Sequence, residues 1–399
     1  MLRRSLPAPL RVLAGRRDLP LSLVREKEAL APAADLAALG AAPAPGAGLT
    51  VTPPVFVEPG ATHPALVGRG GGAHAPEWAV SGQAPMAYDT TLFAVVEVLH
   101  MPRFGALIDA SGRVFADSVE ELAPDIDALP RIPGVRATRG GPVLSAPRDA
   151  PRIERAGVWM AEGGVHNWGH LLLDGLTGLV ALEQAGLLGD HPPVAPRLVP
   201  WARQALALAF PGLAVAERPE PVLKLGRAVY TNCMAHFLHA PNPLVAEVGR
   251  RMKAAVPVGP AGPERVYLSR RGARARTLLN EAELEAALTA RGFAVVAPEA
   301  LPVAAQVALL RGARLVVGPT GAALAGLMFC EPGARAFELQ PVDFTGGWVR
   351  ALCLQVGVDW FGWFHPGGRT DAPIQPRPGL RTTSRLDLPD FLRWLDERL

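Results

Sequence analysis

The heptapeptide GPTGAAL, Gly318 to Leu324, stands where an apolar run that reads as a strand gives way to one that reads as a helix. Glycine lets a backbone approach a ligand closely, and the N–H groups of Gly321, Ala322 and Ala323 at a helix N-terminus can hold an anion such as a diphosphate. The same composition also suits a plain strand-to-helix turn, and it is not G-x-G-x-x-G, so a dinucleotide fingerprint is absent. A second stretch, SRRGARARTLLNE from Ser269 to Glu281, places Arg270, Arg271, Arg274 and Arg276 directly after another apolar run. Guanidinium groups there could neutralise a pyrophosphate leaving group, with Arg270 and Arg271 nearest the strand end, or could simply be solvated. In a third stretch, HNWGHLLLD from His166 to Asp174, His170 and Asp174 lie four apart. On a helix they share a face, where the carboxylate can orient the imidazole or itself act as base. His166, His170 and Asp174 also have helical spacing for metal ligation, but no HExxH pattern accompanies them, and no metal is expected. Asp125-x-Asp127 lies between Pro124 and Pro130 with no strand before it, which makes a metal-nucleotide motif a coincidence.

The elements that must carry these residues are clearest in the C-terminal part. Arg265–Ser269, Phe293–Pro298, Arg314–Pro319 and Arg335–Pro341 read as strands with continuous apolar character, and three helices separate them. That pattern indicates a parallel sheet covered on both faces, with ligands beyond the strand C-termini. Asn280 followed by Glu283 suggests a capping box at the first of these helices. Earlier, Asp109 to Gly112 reads as a hairpin turn, His166 to Gly186 as one long apolar helix, Arg197 to Pro200 as a strand and Trp201 to Phe210 as a helix. The final amphipathic helix from Asp387 is expected to pack back on the first domain. Three domains or segments follow: a leader or linker over 1–50, an N-terminal α/β domain over 51–255, and a C-terminal Rossmann-like domain over 256–399, the boundary falling at the Pro/Gly stretch Val256 to Glu264.

A chain of 399 residues is long enough for two cores. Hydrophobic residues make up 49% and charged residues 19%, which argues against extensive disorder. The formal charge of +3 rests on arginine, with lysine only at positions 27, 224 and 253, and leaves no nucleic-acid footprint. Cys233, Cys330 and Cys353 stand isolated in apolar surroundings, like buried hydrophobes rather than a disulfide or metal framework. Prolines and arginines interrupt the N-terminal apolar residues, and no run reaches the ~18 apolar residues of a membrane span. The expected location is therefore cytoplasmic, with peripheral membrane association open.

The blocks GGVHNWGHLLLD, VYLSRRGARARTLLNEAELEAALTARGF and LVVGPTGAALAGLMFCEPGARAFELQP, in this order, resemble glycosyltransferase family 61, whose bacterial members are often capsular polysaccharide biosynthesis proteins. The resemblance spans roughly Ala94 to Pro341. It implies a GT-B fold of two Rossmann-like domains facing a cleft, and inverting transfer from a nucleotide-sugar donor to a glycan acceptor in surface or capsular polysaccharide synthesis, with no cofactor beyond that co-substrate. It places the base at His170 and Asp174, with His166 and Asn167 on the acceptor side. Donor contacts fall to Arg270, Arg271, Arg276, Asn280, Glu281, Gly318, Thr320, Gly321, Ala322 and Glu338, the last at ribose hydroxyls. Two positions depart from the family pattern: Thr320 replaces a usual histidine, and Thr177 and Gly178 replace a Pro-Arg pair. Both remove a basic contact and motivate an alternative, a relative that binds glycan or nucleotide as a scaffold without transferring sugar. A Rossmann oxidoreductase is disfavoured, because Ser269 to Gly272 stands where its glycine-rich turn would be.

Overall fold

The computed structural model describes residues 16–32, 47–51, 62–85, 90–119, 125–160, 164, 166–234, 241–259, 262–273, 275–368 and 382–399. The chain is a mixed α/β protein and divides into two compact units. Met1–Pro53, Asp89–Arg203 and Gly212–Phe237 make the first; Pro54–Tyr88, Gln204–Pro211 and Leu238–Leu399 make the second. The stretch Val256 to Glu264 thus runs inside the second unit. Among the described residues no helix is long and apolar enough to cross a membrane.

In the first unit a ten-stranded mixed sheet carries the site. One half is parallel, with Ala216–Glu217, Pro193–Ala195, Arg152–Val158 and Leu223–Thr231 side by side. The other half turns antiparallel at Thr90–His100, Leu107–Ile108 and Arg113–Phe115. The Asp109 to Gly112 hairpin forms as expected: Asp109 Oδ1 accepts from the N–H groups of Ser111 and Arg113, each at 2.9 Å, and Gly112 takes φ +93°. One core cluster includes Phe93, Val95, Ala156, Val158, Leu223 and Tyr230.

Two expectations for this unit change. The strand lies at Pro193–Ala195 rather than Arg197 to Pro200, because Pro200 opens the helix Pro200–Ala209 and draws the residues before it into the turn. The long helix from His166 is not uniform: Trp168–His170 is α, Leu171–Gly175 is a π-turn, and Leu176–Gln184 is α again.

The second unit is built on a six-stranded sheet in the order Ala294–Val296, Arg265–Leu268, Leu315–Pro319, Arg335–Pro341, Asp359–His365, Gly70–Gly71, with every pair parallel. Its central strands are buried on both faces, which explains their unbroken apolar sequence. A small sheet of Thr277–Leu278, Thr383–Ser384 and Gly367–Gly368 accompanies it.

The C-terminal helix Leu388–Asp396 packs within this second unit, not on the first. Phe391, Trp394 and Leu395 form its buried stripe and join Tyr267, Phe337, Phe361 and Trp363 in one cluster. Trp394 meets Phe337 edge-on at 5.9 Å and Trp363 at 5.3 Å between ring centres. An aromatic stripe finds its best complement on the aromatic face of this sheet. Gly71 makes room for it, since a Cβ there would lie 2.4 Å from Trp394 Nε1.

Candidate functional site

In the first unit the His block sits where the strand Arg152–Val158 has ended. Asn167 caps the short helix: its Oδ1 accepts from the N–H groups of Gly169 at 2.8 Å and His170 at 3.4 Å. His166 is exposed, with Nε2 3.4 Å from Arg103 Nη2. His170 Nδ1 lies 2.9 Å from Asp174 Oδ2, and both side chains are buried. With the Nδ1 proton donated to Asp174, the basic lone pair of the imidazole is on Nε2, the arrangement a general base needs. The buried Cys233 thiol, pushed up to about 12 by burial, also feels the negative charge of Asp174.

His170 immediately precedes a π-turn and Asp174 lies within it, a helix irregularity frequent at functional sites. The Thr177 hydroxyl donates to the Leu172 carbonyl at 3.1 Å across the widened turn, and Thr177 is wholly buried. Gly175 packs on the Trp159 ring. A Cβ at Gly178 would stand 3.3 Å from Thr231 Cγ2 and 3.4 Å from the Trp159 carbonyl. Of the two positions where the sequence departs from the Pro-Arg pattern, Gly178 is therefore pressed against the sheet, with little space for a longer side chain, while Thr177 is turned back onto its own helix.

In the second unit the strand Arg265–Leu268 delivers the arginine block. Glu281, 3% exposed, accepts from the Tyr267 hydroxyl at 2.8 Å and from the Arg270 backbone N–H at 2.6 Å, so it holds the chain of Arg270 from within. The Arg270 guanidinium lies directly against Gly321: a Cβ there would be 1.7 Å from Nη1. Close approach is thus the reason for glycine at 321. Gly318, by contrast, is pressed between Leu268 and Leu324 and serves packing. Arg276 donates from Nε to the Thr320 carbonyl at 3.4 Å and stacks 4.5 Å over the Phe344 ring. Its backbone has φ +53°, one of two positive-φ non-glycine residues described.

The structure therefore brings together Arg270 and Arg276, whereas the sequence favoured Arg270 and Arg271. Arg271 points the other way, 62% exposed and paired with Glu285 at 2.7 Å. The strand has ended at Leu268 and a turn closes from Arg270 to Ala273, whose N–H donates to the Arg270 carbonyl at 2.8 Å, and in that turn Arg271 leaves the line of Arg270. Arg274 lies outside the described residues. Burial lowers the proton affinity of Arg270, and burial together with the like charge of Arg270 lowers that of Arg276 to about 10. Among the described residues neither forms an ion pair with a carboxylate, and Arg270 Nε has no hydrogen-bond partner.

Three expected residues face inward. Asn280 makes no capping bond. Its side chain instead clasps the Leu386 backbone, donating to the carbonyl at 2.9 Å and accepting from the N–H at 3.0 Å, while Glu283 is exposed toward Arg385. Thr320 is 3% exposed and lies beside Glu338. Glu338, 1% exposed, accepts from Trp360 Nε1 at 2.9 Å. Burial pushes its carboxyl up to about 7, against the pull of its hydrogen-bonding neighbours and of Arg350. Ala322 opens a 3-10 helix, Ala322–Phe329, rather than an α-helix. Asp125, set aside as a nucleotide motif, caps the turn Ile126–Arg131 through Ala128 N–H at 2.9 Å.

Sequence reasoning missed Phe344 and Arg350. Phe344 lies in the turn after the strand Arg335–Pro341, a place that alone could have drawn notice. Arg350 sits in a helix, 4% exposed, donating to the Trp78 carbonyl at 3.0 Å and stacking on its ring, and nothing local marks it. A cavity of about 570 Å³ beside Leu392 and Asp396 and one of about 540 Å³ at the starts of the strands Leu315–Pro319 and Arg335–Pro341 include none of these site residues.

No curated protein sequence matches the chain. Residues 168–337 match the family model described as Glycosyltransferase 61, a stretch that opens two residues before His170 and takes in the arginine block and the Gly318 to Leu324 turn. Over residues 168–337, about two fifths of its length, the chain is similar to the glycosyltransferase 61 family.

Proposed function

We propose that this chain is an inverting, GT-B-class glycosyltransferase that moves a sugar from a nucleotide-activated donor to a hydroxyl of a growing surface glycan. The observation that carries the reading is the pair Arg270 and Arg276: two half-buried like charges at the C-terminal edge of a parallel sheet, set against Gly321, with no direct ion pair to a carboxylate among the described residues, although Glu281 and Glu299 attract Arg270 from farther off. Such a pair calls for an anion, and a diphosphate matches two guanidiniums. The acceptor chemistry is assigned to His170, oriented by Asp174. Its Nε2 takes the acceptor hydroxyl proton as that oxygen bonds to the anomeric carbon, while the bond from that carbon to the diphosphate oxygen breaks on the opposite face. The leaving diphosphate keeps the electron pair, and Arg270 and Arg276 stabilise its charge, which is the work a metal ion would otherwise do. A bound metal is therefore not part of the proposal.

Thermal shift of the full chain against UDP-, GDP-, CMP- and dTDP-sugars tests it. One donor should stabilise the wild type and His170→Ala alike, and the stabilisation should vanish in Arg270→Ala. No shift with any donor sinks the reading. Donor hydrolysis separates it from a sugar-binding scaffold, which would show a shift and no turnover.

A further inference from the structure

We propose that Phe344 is a positioning residue for the donor diphosphate, its ring holding the Arg276 guanidinium in place beside Arg270. The inference rests on the reading above, in which both arginines meet that diphosphate. Arg276 feels the like charge of Arg270 and forms no ion pair with a carboxylate among the described residues, so before any ligand arrives something must keep it from swinging into solvent. Three features do so. The backbone at Arg276 sits at φ +53°, which aims the side chain. Its Nε is committed to the Thr320 carbonyl at 3.4 Å. Its Cζ lies over the Phe344 ring, 4.5 Å from the ring centre, where the ring's negative face attracts a cation. Among the described residues the two terminal nitrogens form no hydrogen bond, so the edge that can fork onto a phosphate is left available. Phe344 reaches this place because the turn Val342–Phe344 follows at once on the strand Arg335–Pro341. An arginine fixed beforehand loses less freedom when it binds, which is how a residue that touches no ligand can tighten binding.

Calorimetric titration of inorganic pyrophosphate into the full-length chain tests this with Phe344→Leu, Phe344→Trp and Arg276→Ala. Phe344→Leu keeps apolar volume but has no ring, and should weaken binding about three- to tenfold. Phe344→Trp should bind within about twofold of wild type. A role in packing alone predicts rescue by leucine as well, and wild-type affinity in Phe344→Leu overturns the proposal. Phe344→Met serves as a second ringless variant should the leucine form fail to fold, and must weaken binding in the same way. If Arg276→Ala binds pyrophosphate as wild type does, the diphosphate reading itself fails; if it loses binding while Phe344→Leu does not, only the role of Phe344 falls.

Discussion

The dyad of the first unit and the arginine pair of the second solve opposite electrostatic problems. His170 and Asp174 are buried and bonded to each other at 2.9 Å, so the charge that develops on one is met by the other. Arg270 and Arg276 are only partly buried, share a sign, and form no direct ion pair with a carboxylate among the described residues, Glu281 and Glu299 attracting Arg270 only from farther off. A self-satisfied pair is suited to moving a proton, because it can change protonation without importing a counter-ion. An unsatisfied pair is suited to holding an anion, because the ligand relieves a repulsion already present. The difference teaches that burial and pairing, rather than residue type, separate a base from a binding site.

The sharpest way to break this contrast is His170→Ala. The rate of sugar transfer should fall about 10²- to 10⁴-fold while donor affinity stays unchanged, as read from initial rates and calorimetry. Loss of affinity in parallel with rate would place His170 on the donor instead. Arg270→Ala should do the reverse and weaken pyrophosphate binding roughly ten- to a hundredfold, while leaving the melting temperature of the unliganded protein level or higher, because one of two like charges is gone.

A smaller effect concerns a third kind of charge, the enclosed carboxyl. Glu338, raised from its ordinary 4.5 to about 7, stays protonated in the folded chain while the unfolded chain ionises. Stability should therefore be greatest below about 4.5, decline as pH rises toward 7 and level off above it. Glu338→Gln, neutral throughout, should flatten that slope in urea titrations at pH 5 and pH 8. Glu26 in the first unit is pushed up to about 8, by burial first and then by Asp117, and Glu26→Gln should flatten a window reaching that pH. The smallest change is expected for Arg271→Ala, which removes a largely exposed guanidinium from its pair with Glu285 and should move pyrophosphate affinity less than about twofold. A larger loss would return Arg271 to the donor site.

Much of the second unit was legible in the sequence because strands buried on both faces must be apolar throughout. Gly70–Gly71 was not, since a strand without side chains has no pattern and exists only through pairing with Gly362 and Trp363. The π-turn was hidden for a related reason: LLLDGLTGLVALEQ is helical in composition whether or not one turn is widened. At the site, spacing brought His170 and Asp174 together correctly, because four residues on a helix fix a geometry. It could not say which way Thr320, Glu338 or Arg271 points. In a strand buried on both faces the two-residue alternation carries no polarity signal, and in a loop nothing ties direction to position. Asn280 and Glu281 were recognisable as special, but their partners, Leu386 and Tyr267, are set by tertiary packing.

The pairing of Gly70–Gly71 with the strand Asp359–His365 also bears on how the protein is made. The two partners are separated by about 290 residues, which at ordinary rates of synthesis is roughly 15 to 60 s on the ribosome. During that interval Trp78 has neither Trp360 to stack on nor Arg350 to cover it. The early segment must wait, with its indole exposed, for a strand not yet translated. Chaperone demand during biogenesis is therefore written into the strand order of the second unit, and it should be felt most when synthesis is slow.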